Sequence, residues 1–302
     1  FEKAIDVLLK NIENPQISKE TVEREIKNVR SEFSSRRRTV LNRVFDQKME
    51  EIFPNSVSDT TGSMSLENIT IDDVRAHYDQ FYTTDNARVF IFGDFSKSQI
   101  LKIIKKLENF NLPRGEEKTF PKVKISEKRG AKIAEDGDKI HFVFLSPFEN
   151  MKFSVRQRAT FEILRCFLTD SKTGKLYREL RNEGLLYYVG WAVVCSRNSL
   201  CYSVMSFSAD EGKFNEINKV IKKWILWAEN GEFSVEELEK IKISAKNSLR
   251  MNVRRIDEKS LWYRDEFLDF VGYNCDDLIA EFDKITKQDV VELANLAFEH
   301  FD

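Results

Sequence analysis

The sequence repeats itself at a constant distance, and this repeat limits the possible folds more than any other feature. Ser18 opens SKETVEREIK and Ser234 opens SVEELEKIKI, while Thr70 lies in NITIDDV and Thr286 lies in KITKQDV. The members of each pair are 216 residues apart. Because two separated motifs share one offset, the simplest account is a duplicated domain of roughly 210 residues.

The apolar periodicity predicts an α+β fold of two homologous domains, each an antiparallel sheet packed by helices. Residues 1–112 form the first predicted domain, residues 113–128 a charged linker with proline, and residues 129–302 the second domain. In the second copy, strands and a helix over about 130–213 precede the repeated helix. The first copy begins without them, so we expect it to be incomplete at its N-terminus or to be completed by another chain.

Local signals place the secondary-structure elements within this frame. Ser18 and Thr70 are typical N-caps, and Arg88 to Phe92 (RVFIF) has the β-forming residues of a strand. A hairpin is expected to turn at Arg197-Asn198. The main predicted elements are helices over 1–13, 18–50, 70–82 and 96–108, strands over 88–92 and 139–145, the hairpin strands 186–196 and 199–209, and helices over 213–229, 234–255 and 286–299.

Charge and hydropathy restrict the classes of partner. The 302 residues are 41% hydrophobic, which is enough for a packed core, and 48 basic residues nearly balance 50 acidic ones. Such a balance gives no net field to attract nucleic acid or an anionic membrane, so neither is expected as a partner. No apolar run is long enough to span a membrane and no leader opens the sequence, so a bacterial cytoplasmic protein is the default expectation.

Four separated cysteines provide neither a metal motif nor an obvious disulfide framework. They are Cys166, Cys195, Cys201 and Cys275, and no two are spaced as Cys-x-x-Cys. A zinc knuckle is therefore not expected. Cys195 and Cys201 could face each other across the predicted hairpin, but reduced thiols are the expected state.

The repeat separates structural acids from candidate functional acids on the helix after Ser18. Glu23 recurs in the second copy as Glu239, which indicates a structural role. Glu25 and Glu32 have no acidic counterpart 216 residues later. Their spacing of seven residues returns to within ~20° of the same helix face.

Two interpretations of this carboxylate pair remain open from the residues alone. The face also carries Val22 and Ile26, and carboxylates beside an apolar stripe are costly unless a cation such as zinc compensates them. Alternatively, they are ordinary helix acids whose partners are Lys27 and Arg30.

The run Glu23–Glu32 (EREIKNVRSE) resembles the third-ligand helix of the pitrilysin/insulinase zinc peptidases, in their processing-peptidase-like branch. The later glutamate of that helix binds zinc, and the earlier one supports the site. The resemblance therefore implies that Glu32 is the metal ligand and that Glu25 is its supporting acid. It continues in order through the capped helix at Thr70 and the strand before Gly93, and covers the whole chain.

A segment of the second domain, LRNEGLLYYV from Leu180, resembles the family's Arg/Tyr segment. The resemblance implies that Arg181 holds the substrate backbone and that one tyrosine hydroxyl stabilises an oxyanion. Counting from Arg181 indicates Tyr188, whereas counting from Gly184 indicates Tyr187. Since neighbouring strand residues face opposite ways, only one of the two can serve.

The sequence departs from the family at the zinc-binding motif His-x-x-Glu-His. Its three histidines are His77, His141 and His300, and none lies in such a motif. The implied zinc site is therefore incomplete, and the chain alone is expected to be catalytically silent.

The resemblance implies a zinc endopeptidase that hydrolyses unfolded peptides in a closed two-domain chamber, as a homo- or heterodimer. The first alternative is a non-catalytic subunit that binds peptides or completes a partner's chamber in a family heterodimer. A purely structural subunit of a larger assembly is the second alternative. Retention of both Glu25 and Glu32 favours the enzyme.

Overall fold

A computed structural model describes most of the chain and divides it into two compact units. Unit 1 comprises residues 1–36 and 59–121, and unit 2 comprises residues 37–58 and 122–302. The units assign residues 37–58 differently from the predicted domains, whose boundaries stay a prediction. The described residues are 2–54, 66–116, 123–128, 130–148, 154–186, 188–195, 201–267 and 273–301.

The described residues are mainly helical. None of their helices combines the length and apolar character that crossing a membrane requires. In chain order the α-helices are α1 (Glu2–Glu13), α2 (Lys19–Arg38), α3 (Val40–Ile52), α4 (Ile71–Phe81), α5 (Lys97–Glu108), α6 (Val155–Leu168), α7 (Lys175–Asn182), α8 (Phe214–Glu229), α9 (Val235–Asn252), α10 (Ile256–Phe267), α11 (Cys275–Glu281) and α12 (Lys287–Ala297).

Unit 1 is built from helices that pair along narrow apolar seams. Ile5 and Leu9 of α1 are buried against Ile103 of α5, as the helical spacing of α1 predicts. A salt bridge of 2.8 Å between Lys102 and Glu2 borders this seam. Tyr78 of α4 donates its hydroxyl to the backbone carbonyl of Ile12, which ties α4 to the end of α1.

Unit 2 contains a four-stranded antiparallel sheet. Its strands are β1 (Ala131–Asp136), β2 (Lys139–Phe148), β3 (Gly190–Cys195) and β4 (Cys201–Asp210), and their order across the sheet is β1-β2-β4-β3. The mixed helix and antiparallel-sheet composition confirms the predicted α+β class. The turn predicted at Arg197-Asn198 lies outside the described residues.

Helices cover both faces of this sheet, and alternation along β2 decides which side chain meets which helix. Phe142 and Phe144 point to the main core, where α6, α8 and α12 pack. Val143 points to the other face, against Val40 and Val44 of α3. Because both faces are buried, β2 reads as a nearly continuous apolar run rather than as an alternating one.

Helix starts reproduce the repeat detected in the sequence. The Ser18 hydroxyl accepts from the N–H of Thr21 at 3.1 Å, and the Ser234 hydroxyl accepts from that of Glu237 at 3.0 Å. Thr70 and Thr286 both close a capping box with an aspartate three residues later. The same 216-residue offset also relates Val40 to Ile256, the first residues of α3 and α10.

Two predicted elements are wrong. The helix predicted over 18–50 breaks at Thr39, which is extended (φ −81°, ψ 116°), because α3 follows its own apolar contacts with the sheet. Residues 88–92 form no strand. Val89 and Ile91 are exposed, and their backbone groups form no hydrogen bond with the backbone of other described residues. A strand needs a neighbouring strand to accept and donate its backbone hydrogen bonds, and the described residues of unit 1 contain no strand.

The cysteine expectation also needs correction. Cys201 is disulfide-bonded, whereas the sequence favoured reduced thiols. Register places Cys195 directly opposite Cys201 at the end of the β3–β4 pair, where cross-strand neighbours lie close together. Cys166 and Cys275 are free thiols, and burial raises the pKa of both.

Asp289 at the start of α12 offers a test of this packing. Its two carboxylate oxygens accept from Nε and Nη2 of Arg156, each at 2.8 Å, and the Thr286 N–H donates at 2.7 Å. These contacts, with Arg156 the largest, lower the pKa of Asp289 to about 2. A depressed folded-state pKa gives stability that is complete above the ordinary aspartate range and lost as pH falls towards 2.

We therefore expect Asp289→Asn to lower the free energy of unfolding at pH 7 by about 1–2 kcal/mol. The difference from the parent should shrink between about pH 4 and pH 2, as measured by urea unfolding. Asp73→Asn is the matched control, because Asp73 caps Thr70 in the same way but has no arginine partner among the described residues. A difference for Asp289→Asn that stays constant down to pH 2 would contradict the ion-pair assignment.

Candidate functional site

Helix α2 presents the first candidate residues along one half-buried face. The Ser18 cap and Glu20 in the first turn favour a helix start at Lys19. Val22, Ile26 and Val29 then follow at intervals of four and three residues, which places them in one stripe. The stripe lines a groove of about 400 Å³, which Ile17, Leu66, Ile69 and Val74 also line.

Glu25 lies at the edge of this groove and is the one charged residue among the described residues that line it. Its carboxylate accepts from Nδ2 of Asn28 and from Nε of Arg24, each at 3.2 Å. These hydrogen bonds, that from Asn28 first, hold the pKa of Glu25 below its usual range. The partners are therefore not Lys27 and Arg30, the cations that the helix-acid interpretation named.

Glu32 lies two turns further along α2, about 10 Å along the helix axis from Glu25. Its side chain is exposed, and its carboxylate forms no ion pair or hydrogen bond with the described residues. The two acids share a helix face but are not in contact. Glu25 is thus held by its neighbours, while Glu32 has its full capacity to accept from or bind a further group.

Arg181 is positioned by the way α7 ends. Gly184 adopts φ +66°, a backbone conformation that favours glycine, and reverses the chain after the helix. The N–H groups of Leu185 and Leu186 then donate back to the carbonyl of Leu180 at 2.9 and 3.2 Å. Both leucines are buried by this turn, which leaves Arg181 exposed in the last turn of α7.

Arg181 opens onto a cation-rich cavity of about 660 Å³. Lys139 and Lys213 line it, and both pair with Asp210, the latter at 3.4 Å. The hydrogen bond and charge of Lys139 lower the pKa of Asp210, and the same pair raises the pKa of Lys139. One carboxylate and three cationic side chains line the cavity, and guanidinium and ammonium groups are donors that suit a carbonyl or carboxylate oxygen.

No sequence pattern indicated Lys139, Asp210 or Lys213 as site residues. Lys139 and Asp210 lie at the ends of β2 and β4 and become partners only through the strand register. Lys213 reaches the site from the turn before α8, where its Nζ donates to the Gly184 carbonyl at 2.9 Å. A correct prediction that β2 pairs with β4, and of the register between them, could have found the first pair.

Of the two candidate tyrosines, Tyr188 lies within the described residues. Tyr188 is 69% exposed and its hydroxyl lies near Gly190, where an added Cβ would be 3.1 Å from that oxygen. The missing side chain at Gly190 thus leaves room for the tyrosine ring. Tyr187 lies outside the described residues, so the choice between the two tyrosines stays a prediction.

None of the histidines belongs to a group that could hold a metal ion within the part of the chain that the structure describes. His141 lines the Arg181 cavity, where its Nδ1 is 2.8 Å from the Ser208 hydroxyl and its buried Nε2 has no hydrogen-bond partner among the described residues. Burial lowers the pKa of His141. His77 stacks on Phe81 at 4.4 Å between ring centroids.

A zinc ion of the implied family would need more ligands than these residues supply. Within the described part of the chain, no three side chains of His, Cys, Asp or Glu are grouped to hold a metal ion. Glu32 offers a single carboxylate, and a zinc ion takes three or four protein ligands. The described residues therefore do not form the family's zinc site by themselves.

Comparison with known protein families identifies the family of this chain. The family model described as "Peptidase M16 inactive domain" matches residues 68–244, more than half of the chain. The chain belongs to the M16 peptidase family, which confirms the pitrilysin/insulinase resemblance found in the sequence. A search of curated protein sequences found no significant match.

Solved structures share the fold over nearly the whole chain. A protease from Helicobacter pylori has a TM-score of 0.79 at 19% identity, over 99% of this chain and 74% of its own. A peptidase M16 inactive domain from Pseudomonas fluorescens gives 0.76 at 14%, over 100% and 72%. A chain of complex III from Candida albicans gives 0.73 at 12%, over 97% and 72%. At such identities the likeness establishes the fold alone.

Proposed function

We propose that this chain forms the substrate-binding part of a zinc endopeptidase of the M16 family and contributes one of its zinc ligands. Glu32 is the ligand and Glu25 its supporting acid. Arg181 and one of the two tyrosines act on the peptide substrate. These 302 residues contain no His-x-x-Glu-His, so the histidine ligands come from outside them.

The observation that supports this proposal most is the different state of the two acids on α2. Asn28 and Arg24 already orient Glu25, whereas Glu32 on the same face is exposed and has no partner among the described residues. A supporting acid needs fixed orientation, and a metal ligand needs free lone pairs. If both were ordinary helix acids with Lys27 and Arg30 as partners, both carboxylates would be paired with these cations.

The cavity beside Arg181 supports a substrate role in unit 2. A peptide backbone presents carbonyl oxygens, which accept hydrogen bonds from guanidinium and ammonium groups. Arg181, Lys139 and Lys213 supply such donors around buried Leu185 and Leu186. The apolar floor would contact side chains while the cations hold the backbone of an unfolded peptide.

The test is to combine this chain with a family segment that carries His-x-x-Glu-His, either fused to it or as a separate chain. We call this combination the assembled peptidase. The assembled peptidase should cleave an unfolded, fluorescence-quenched peptide, and a chelator should stop the cleavage. The chain alone should cleave nothing, since it lacks most of the metal ligands. Robust chelator-sensitive cleavage by the chain alone would show that the site is elsewhere.

A second candidate function is a non-catalytic subunit that binds peptides or completes a partner's chamber. It is favoured by the description of the matching family model as an inactive domain and by the fold shared with a complex III chain. The same assay separates the candidates. An assembled peptidase that binds zinc and peptide but never cleaves would favour the subunit.

A further inference from the structure

The apolar groove on α2 is the open counterpart of a buried surface in unit 2. The 216-residue offset relates the apolar residues of the groove to residues of unit 2. Three such pairs are Ile17 and Phe233, Val22 and Leu238, and Val74 and Val290. The members in unit 2 belong to its main core and are at most 2% exposed, whereas those in unit 1 are only half-buried.

The same difference holds for whole helices. Within the described chain no residue of α2 is buried, whereas Leu238, Ile241 and Ala245 of its counterpart α9 are buried. Helix α4 also has no buried residue among those described, while its counterpart α12 has four. An apolar stripe at helical spacing that no described element covers is typical of a surface that binds a partner.

In unit 2 the element that covers this surface is α6, which packs against both α9 and α12. Two contacts lie near its ends. Nε of Arg156 lies 2.8 Å from Oδ1 of Asp289, and the ring of Phe167 lies 4.9 Å from that of Phe233 between centroids. Arg156 and Phe167 are eleven residues apart, which corresponds to about 16 Å along the helix axis.

Unit 1 has counterparts of both residues that α6 contacts in this way. Asp73 corresponds to Asp289, and Ile17 corresponds to Phe233. Both aspartates close a capping box, but Asp73 is exposed and has no cationic partner among the described residues. The groove therefore combines an apolar floor with a carboxylate beside it that suits an arginine.

We propose that this groove binds an amphipathic helix of a partner segment, with an arginine in its first turn and a large apolar residue eleven positions later. The arginine pairs with Asp73, and the later apolar residue contacts Ile17. Helix α6 itself cannot be this partner, because its apolar side is buried in unit 2. Glu25 stands where unit 2 has the buried Ile241, so the partner helix presents a polar or basic residue there. The proposal does not depend on zinc or on peptidase activity.

A peptide with the sequence of residues 154–169, with Cys166→Ala to prevent oxidation, tests the proposal because it has the required pattern. Labelled with a fluorophore, it should bind the full chain with a Kd on the order of 100 μM, as measured by fluorescence anisotropy. Val29→Glu places a charge in the groove and should weaken binding at least about tenfold. Val89→Glu is the matched control and should leave the affinity unchanged, because Val89 is exposed in the same unit and does not line the groove.

The arginine contact is tested by a double-mutant cycle between peptide and chain. Arg156→Gln in the peptide should weaken binding to the parent chain about fivefold, and should cause no further loss with the Asp73→Asn variant. Equal losses with both chains would overturn the pairing with Asp73 and with it the proposal. Circular dichroism monitors folding, and if Val29→Glu unfolds the chain, this cycle decides.

Three further results would contradict the proposal. They are no binding at about 1 mM peptide, unchanged binding to a folded Val29→Glu variant, and a dimer of the chain that Val29→Glu abolishes. The last result would assign the groove to a second copy of this chain instead of a partner helix.

Discussion

Glu32→Gln is expected to remove zinc from the assembled peptidase and with it all cleavage. A glutamine amide is a neutral and poor zinc ligand, whereas a carboxylate is both charged and a normal one. The Glu32 side chain is exposed and has no partner within the described chain, so the substitution should leave the thermal stability of α2 and of the whole chain unchanged. Metal content is measured by mass spectrometry and stability by circular dichroism.

Glu25→Gln should weaken zinc binding less, by roughly 10–100-fold, because a supporting acid affects the metal through orientation and nearby charge. Glu23→Gln is the matched control, since Glu23 lies on the same helix, is exposed and pairs only loosely with Lys19 at 3.9 Å. Its zinc content should equal that of the parent. Equal and negligible losses for Glu25→Gln and Glu32→Gln would restore the interpretation of both as ordinary helix acids.

Tyr188→Phe is expected to lower the turnover of the assembled peptidase about 10²–10³-fold and to leave its zinc content unchanged. A hydroxyl aimed at a developing oxyanion matters more in the transition state than in substrate binding, so kcat should fall while KM stays nearly constant. Tyr188 is 69% exposed, and removal of one hydroxyl from an exposed ring should not change stability.

Tyr187→Phe is the control in the same assay, because the sequence predicts a strand here and neighbouring strand residues face opposite ways. If Tyr187→Phe gives the large loss instead, counting from Gly184 was the correct alignment. Full turnover in both variants would show that neither tyrosine hydroxyl takes part in the reaction. Arg181→Lys then tests the remaining half of the segment, since lysine keeps the charge and loses the planar fork of donors.

The sequence predicted those features that depend on neighbours along the chain. Helix starts at Thr70 and Thr286 follow from a hydroxyl and an acid three residues apart, and both capping boxes are present. The family resemblance also depended on local runs, such as that from Glu23 to Glu32, and comparison confirmed the family.

Features that depend on distant partners were missed. Nothing in the residues around Thr39 signals a stop, because the break serves contacts of Val40 and Val44 with the sheet. Residues 88–92 have the composition of a strand, but composition cannot supply the neighbour that a strand needs. The Lys139–Asp210 pair likewise exists only through the register of β2 and β4.

The most direct test of the account is the zinc content of this chain with and without a segment that carries His-x-x-Glu-His. Both preparations are loaded with zinc, dialysed and analysed for metal per chain. The account predicts no stoichiometric zinc in the chain alone, one zinc in the assembled peptidase, and loss of that zinc with Glu32→Gln. One tightly held zinc in the chain alone, unaffected by Glu32→Gln, would contradict it.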